Sequence, residues 1–243
     1  MPVIEPIRPQ FRLEVLTPKE LHTIQSATLH ILQRTGVQFP SERALQIFRE
    51  HGATVDTESQ VVRLSPDLVQ EAMSRAPRAY LLSGRANDTD LLLDGSASYF
   101  STDGCGVHTL DLETGKQRAS CKDDVATMAR VSDYLSSIGF YWPMVSAQDY
   151  GRTAPLNELD ASFNNTVKHV QTETVMGEKT AAYAVRMAEV IAGTGERLRN
   201  NPPLSALICT IAPLAQDKEG IEGAMVFADA GVPVGFMAMP SMG

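Results

Sequence analysis

Cysteine is scarce in this sequence. Cys105, Cys121 and Cys209 are an odd number with no CxxC pair, which excludes a disulfide framework and leads us to expect reduced thiols in a cytoplasmic protein. Positive charge is also short. The formal net charge of −8 speaks against nucleic acid, whose readers carry a basic stripe. No apolar run approaches the roughly 20 residues of a membrane span. Met1-Pro2-Val3-Ile4-Glu5-Pro6 lacks the basic-then-apolar order of a signal peptide, so no membrane partner is expected. The G-x-S-x-G nucleophile elbow is missing. Gly177-Glu178-Lys179-Thr180 resembles only the tail of a phosphate loop, without the upstream glycine. Cys105-x-x-His108 has no second ligand pair at metal spacing, so no metal is expected either.

What the chain does contain is core material in alternating strand and helix patterns. Its 43% hydrophobic content over 243 residues suffices for one large domain or a domain with an appendage. The stretch that organises the reading is the last one. Leu204–Ile211 is a continuous apolar run, the pattern of a strand buried on both faces. Ile221, Ala224, Met225 and Ala228 then recur at helical spacing, and Val232–Met239 is apolar again. Strand, helix, strand predicts a right-handed βαβ unit with parallel strands. The pattern then expects another helix where the sequence stops, so a longer protein is expected.

Upstream, Thr17-Pro18-Lys19-Glu20 reads as a capping box with proline at the first helical position. Ser41 and Ser65 open two more helices, with a short strand pair from Val55 to Leu64 between them. Residues 1–98 read as a small α/β N-terminal appendage. From Tyr99 the rhythm changes to five strands: near Tyr99–Asp103, Gly139–Val145, Val167–Thr172, Leu204–Ile211 and Val232–Met239. A hairpin follows the first. Strand starts recur roughly every 30–40 residues, as in a barrel of eight βα units over about 250 residues. The expected fold class is therefore α/β, with residues 99–243 forming a partial (β/α)8 TIM barrel of about five βα units. A doubly wound sheet is disfavoured because the first strand leads into Asp103-Gly104-Cys105-Gly106 and a hairpin, not a phosphate turn and helix.

Gly104-Cys105-Gly106 followed by Asp111-Leu112-Glu113-Thr114-Gly115-Lys116-Gln117-Arg118 resembles the glycine-bounded hairpin of the trimethylamine methyltransferase (MttB) family. Val61-Val62-Arg63-Leu64-Ser65-Pro66, Asn165-Thr166-Val167-Lys168-His169 and the terminal Met239-Pro240-Ser241-Met242-Gly243 are similar to that family too. The resemblance runs over essentially the whole chain, as the N-terminal half of such a protein. It implies a cytoplasmic barrel enzyme that moves a methyl group from a methylated amine, trimethylamine or a quaternary amine such as glycine betaine, to Co(I) of a corrinoid. The corrinoid (cobalamin) is supplied by a separate corrinoid protein, so no tightly bound cofactor is expected in this chain. Some members use pyrrolysine, in a region that this sequence does not include.

A quaternary ammonium cannot donate hydrogen bonds, so aromatic faces and a carboxylate suit it, and a barrel presents such groups at strand C-termini. Four residues are candidates for substrate binding: Asp103, Tyr141, Gln171 and Glu173. In the third strand, Val170 and Thr172 suit packing against helices, which turns His169, Gln171 and Glu173 to the other face. Each candidate has a plainer alternative. Glu173 can cap the helix starting near Met176-Gly177, Asp103 can close an Asx turn, Tyr141 can be core, and His169 suits a satisfied core histidine. Tyr141 and Trp142 sit on opposite faces, so only one can turn inward. No residue is singled out as catalytic. Two other readings stay open: a non-catalytic fragment that needs a second chain or copy of itself, and an unrelated TIM-barrel lyase.

Overall fold

The computed structural model describes residues 4–11, 13–86 and 88–238. The expected Met239–Gly243 signature lies outside them. Polar caps open the helices. Thr17 accepts from the Glu20 amide, and Glu20 Oε2 accepts from the Thr17 amide at 2.8 Å, closing both ends of a reciprocal cap on α1 (Pro18–Arg34). The Ser41 and Ser65 side chains accept from the Ala44 and Leu68 amides at the starts of α2 (Glu42–Glu50) and α3 (Pro66–Arg75). Between these helices lie β1 (Val37–Gln38), β2 (Thr54–Asp56) and β3 (Val61–Arg63), paired antiparallel in the order β1-β3-β2.

The remaining elements run β4 (Tyr80–Leu82), β5 (Leu91–Leu93), β6 (Phe100–Ser101), β7 (His108–Leu110), β8 (Gln117–Ala119), α4 (Lys122–Tyr134), β9 (Ile138–Phe140), α5 (Ala154–Asn165), β10 (Val170–Thr172), α6 (Glu178–Ala192), α7 (Gly195–Asn200), β11 (Leu204–Ile211), β12 (Ala215–Gln216), α8 (Lys218–Ala230) and β13 (Val234–Met237). Two compact units result. One gathers Pro9–Arg78 with Cys209–Glu222, and β12 there runs parallel to β1. The other gathers Ala79–Ile208 with Gly223–Gly235. The architecture is mixed α/β.

In the second unit the strands neighbour one another in chain order. β6 pairs with β9 in parallel, Tyr141 bridges Val170 in parallel, β10 pairs with β11 in parallel, and β13 pairs with β11. The core lies on the helix side of these strands, where Leu159, Phe163, Val170, Ala184, Leu204 and Phe227 are buried together. α6 turns mostly alanines inward. Its buried residues are Ala181, Ala184, Val185 and Ala188, whereas Tyr183 and Val190 are 52% and 81% exposed. Those alanines belong to one buried cluster with Leu159, Leu198 and Leu204, while Tyr183 and Val190 turn outward. On α8, a Cβ added at Gly223 would lie 3.4 Å from the Gly177 amide nitrogen.

The hairpin that carried the resemblance is held by its own residues. Asp111 Oδ1 accepts from the Thr114 amide and hydroxyl at 2.9 and 2.8 Å, and Gly115 takes the left-handed backbone (φ 66°) that closes the turn. Arg118 grips Asp124 at the start of α4 with two bonds of 2.7 Å. That guanidinium is the main cause holding the Asp124 carboxyl down at about 2. Among the described residues no helix is long and apolar enough to cross a membrane.

Candidate functional site

The C-terminal ends of β6, β9 and β10 are tied together by short contacts. Thr102 Oγ1 donates to the Trp142 carbonyl at 2.6 Å and accepts from its amide at 2.8 Å. Past them, the Gly106 amide donates to the Met144 carbonyl at 3.1 Å, and the Ser146 amide donates to the Gly106 carbonyl at 2.8 Å. Gly104 sits so close to the neighbouring strand end that a Cβ would fall 1.9 Å from the Pro143 carbonyl oxygen. No other residue fits there without moving the backbone. Cys105, in the left-handed region at φ 75°, then reaches across to β10, where its Sγ donates to Glu173 Oε1.

The parity expected for β10 is what the side chains show. Val170 and Thr172 are buried, and Val170 belongs to the helix-side core. His169 and Gln171 occupy the other face with Ser205. His169 is fully buried. Its Nδ1 lies 3.1 Å from both the Ser83 and Pro202 carbonyl oxygens. Carbonyls only accept, so Nδ1 carries the proton and Nε2 accepts from Ser205 Oγ at 2.8 Å. Desolvation is the main cause that depresses its pKa to about 4, so the ring is neutral and structural at pH 7. Gln171 Oε1 lies farther from Ser205 Oγ, at 3.4 Å.

Glu173, half-buried, is the residue of this row nearest the strand end. Among the described residues it accepts from Cys105 and from no helix amide; α6 has Gly177 at its N-cap. Asp103 is exposed at the end of β6, and its Oδ1 accepts from the Gly104 amide at 2.8 Å, the turn-closing contact that a short polar side chain makes. Tyr141 takes the opposite side of the sheet. It is 0% exposed, packs with Val125 and Ala129 of α4, and donates its hydroxyl to the Val125 carbonyl at 3.0 Å. Burial pushes that hydroxyl's pKa above its usual range. The structure therefore does not bring Tyr141 to the face of Gln171 and Glu173. Period two sends its neighbours the other way: Phe140 meets the His169 ring edge-on at 6.4 Å, and Trp142 is 9% exposed beside the Gly104 turn. Tyr141→Phe should lower stability by about 1 kcal/mol, the usual loss for one buried hydrogen bond. Chemical denaturation reads this directly, and an unchanged midpoint would show that the hydroxyl contributes nothing.

One group escaped the sequence reading. Glu158 of α5 is 2% exposed. Its Oε1 accepts from Ser146 Oγ at 2.7 Å and the Ala147 amide at 3.2 Å, and its Oε2 accepts from Thr174 Oγ1 at 2.5 Å. An acid on a helix was the available signal. Among the described residues no three His, Cys, Asp or Glu side chains gather at metal-ligand spacing.

Comparison with known proteins gives a consistent picture. The profile of the family described as "Trimethylamine methyltransferase (MTTB)" matches residues 2–243. A "Trimethylamine methyltransferase MttB" of Desulfitobacterium hafniense (strain DSM 10664 / DCB-2) is 33% identical over 234 residues, covering 96% of this chain and 47% of the relative. Another of that name, from Methanosarcina thermophila, is 30% identical over 95% of this chain and 49% of its own length. A "Glycine betaine methyltransferase" of Desulfitobacterium hafniense (strain Y51) is 25% identical over 92% of this chain and 46% of its own length. The chain spans about half the length of the curated relatives it matches.

Proposed function

Because this chain belongs to the trimethylamine methyltransferase family, we propose that it forms the N-terminal part of a methyltransferase acting on a methylated amine, with the methyl group passing to a corrinoid protein. The chain-ordered strands β6, β9, β10, β11 and β13 support reading this unit as the first part of a (β/α)8 barrel, whose reactive end lies at strand C-termini. On this reading residues 1–98 are the appendage to those strands, with β4 and β5 belonging to the same compact unit as the strands. The single observation that carries the proposal beyond family membership is the position of Glu173. It is a carboxylate at the end of β10 whose hydrogen-bond donor among the described residues is Cys105.

The chemistry asks little covalent work of the protein. The C–N bond breaks and the nitrogen keeps the electron pair, so a quaternary ammonium departs as a neutral tertiary amine, whereas a tertiary amine must first be protonated to depart neutral. The partner's Co(I) supplies the nucleophile. What remains is to hold the ammonium, orient one methyl group outward and keep water away. Glu173 gives the counter-charge, and Asp103 adds a second carboxylate after β6, two strands away. Trp142, rather than Tyr141, offers the aromatic face, and indole is the strongest of the aromatic cation acceptors. Gln171 lies one turn of the pleat below Glu173 and sets the floor. The corrinoid is the partner's group, and these residues are suited to the amine and not to it.

Glu173→Gln should weaken binding of glycine betaine or tetramethylammonium by about 1 kcal/mol or more, since it removes the charge and keeps the shape. Titration calorimetry on both proteins measures this. Equal affinities would remove Glu173 from the site, and no ammonium binding by either would remove the amine reading for this chain.

A further inference from the structure

The strand ends of the proposed site converge on a carboxylate that no substrate can reach. Glu158 stands on α5, behind β9 and β10, and is 2% exposed. Through Ser146 and Ala147 it holds the segment after β9; through Thr174 it holds the segment after β10. Ser146 also donates its amide to Gly106, in the segment after β6, at 2.8 Å, and its carbonyl accepts from Ser120 Oγ at 2.7 Å. Two strand ends thus meet at one side chain, and the third is tied to them through the Ser146 amide. Thr174 adjoins Glu173, and Glu173 accepts the Cys105 bond that crosses back to the first of the three.

Stability alone does not call for a carboxylate at that spot. Burying an acid is costly unless every oxygen is satisfied, and an apolar side chain of like volume is often as stable or more so. Geometry is what the acid adds. Its two oxygens point at donors on two different loops, and each bond is short only if both loops keep their place. We infer that Glu158 is a positioning residue: through Thr174 it sets the height and direction of Glu173 at the strand end, and through Ser146 it sets the opposite wall. The inference rests on the reading of Glu173 as the counter-charge of the ammonium.

Thr174 is the link to cut, because valine keeps its shape and removes only the hydroxyl. Two readouts on the full 243-residue chain separate the questions. The first is the rate of iodoacetamide alkylation at Cys105, resolved from Cys121 and Cys209 by mass spectrometry. It reports on the Cys105–Glu173 contact and requires no substrate. The second is the affinity for tetramethylammonium. Thr174→Val should raise the Cys105 rate several-fold and weaken ammonium binding about tenfold, a usual effect of removing a group that holds a ligating residue. Thr174→Ser, which restores the hydroxyl, should return both to the wild-type values although it packs less well. Glu158→Gln keeps one accepting oxygen and should show both changes in milder form, which covers the case of a poorly folded valine variant. An unchanged Cys105 rate in Thr174→Val and Glu158→Gln, or a serine variant that behaves like valine, would overturn the positioning role. Wild-type protein that binds no ammonium, with the alkylation pattern as expected, would leave the role of Glu158 intact and remove the amine reading alone.

Discussion

Acidification from pH 6.5 to pH 4 should cost this fold about 3 kcal/mol through His169 alone. The unfolded imidazole titrates at its ordinary 6.5, whereas the buried one titrates at about 4. Between those values the unfolded chain holds a proton that the native protein refuses. Stability therefore falls as pH drops below 6.5 and levels off below about 4, at about 1.4 kcal/mol per pH unit. Both ring nitrogens are already engaged, Nδ1 with two carbonyls and Nε2 with Ser205. A second proton would turn Nε2 into a donor and force the Ser205 hydroxyl to rotate away. His169→Gln removes the titration and keeps a polar group. It should be less stable than wild type at pH 7.5, and the gap should close as pH falls towards 4.5. Urea denaturation of the two proteins at several pH values gives the difference free of the carboxylates they share. A gap that stays constant over that range would show that His169 is not held neutral by burial.

Phe227→Ala should cost about 3–5 kcal/mol, the usual loss for an aromatic side chain removed from a packed interior. Phe227 is 0% exposed and lies in the cluster that includes Val170, Leu204 and Val232, so its removal leaves a cavity between α8 and the strands. Domain stabilities of roughly 5–15 kcal/mol make this a loss that threatens folding at 37 °C. The comparison that matters is with Met225→Ala. Helical spacing in the sequence places Met225 and Ala228 on the buried stripe, but Met225 is only half-buried and Ala228 is exposed. The structure thus expects Met225→Ala to be much the milder change. Equal losses in the two variants, read from denaturation midpoints, would mean that α8 is rotated from the orientation described here.

That rotation shows where local reading stops. Apolar spacing at 221, 224, 225 and 228 locates a helix, but several rotations satisfy it. The largest side chain, Phe227, and the close approach at Gly223 choose among them, and both act through neighbours distant in sequence. α6 repeats the lesson, since alanines face its core and Tyr183 and Val190 do not. Pro155 occupies the first turn of α5, a position at which its missing amide proton costs nothing.

The candidate site divides along the same line. Alternation in β10 was enough to separate Gln171 and Glu173 from Val170 and Thr172, because a strand has only two faces and one is apolar. The same rule put Tyr141 and Trp142 on opposite faces without saying which was which. Contact with α4 decided that Tyr141 faces the helices. Glu158 had no signature at all beyond an acid on a helix. Its partners, Ser146 and Thr174, come from two separate loops, and nothing nearby in the chain announces them.

From its residues alone this protein could be known to be an α/β chain with its caps, turns and hairpin in place. Those features depend on contacts within a few positions, such as Thr17 with Glu20 or Asp111 with Thr114. Which side of each strand meets helices, and which groups converge at the strand ends, was settled by packing. Cys105 meets Glu173 across 68 positions of chain, and a contact of that reach exists only once the parallel strands have set their order.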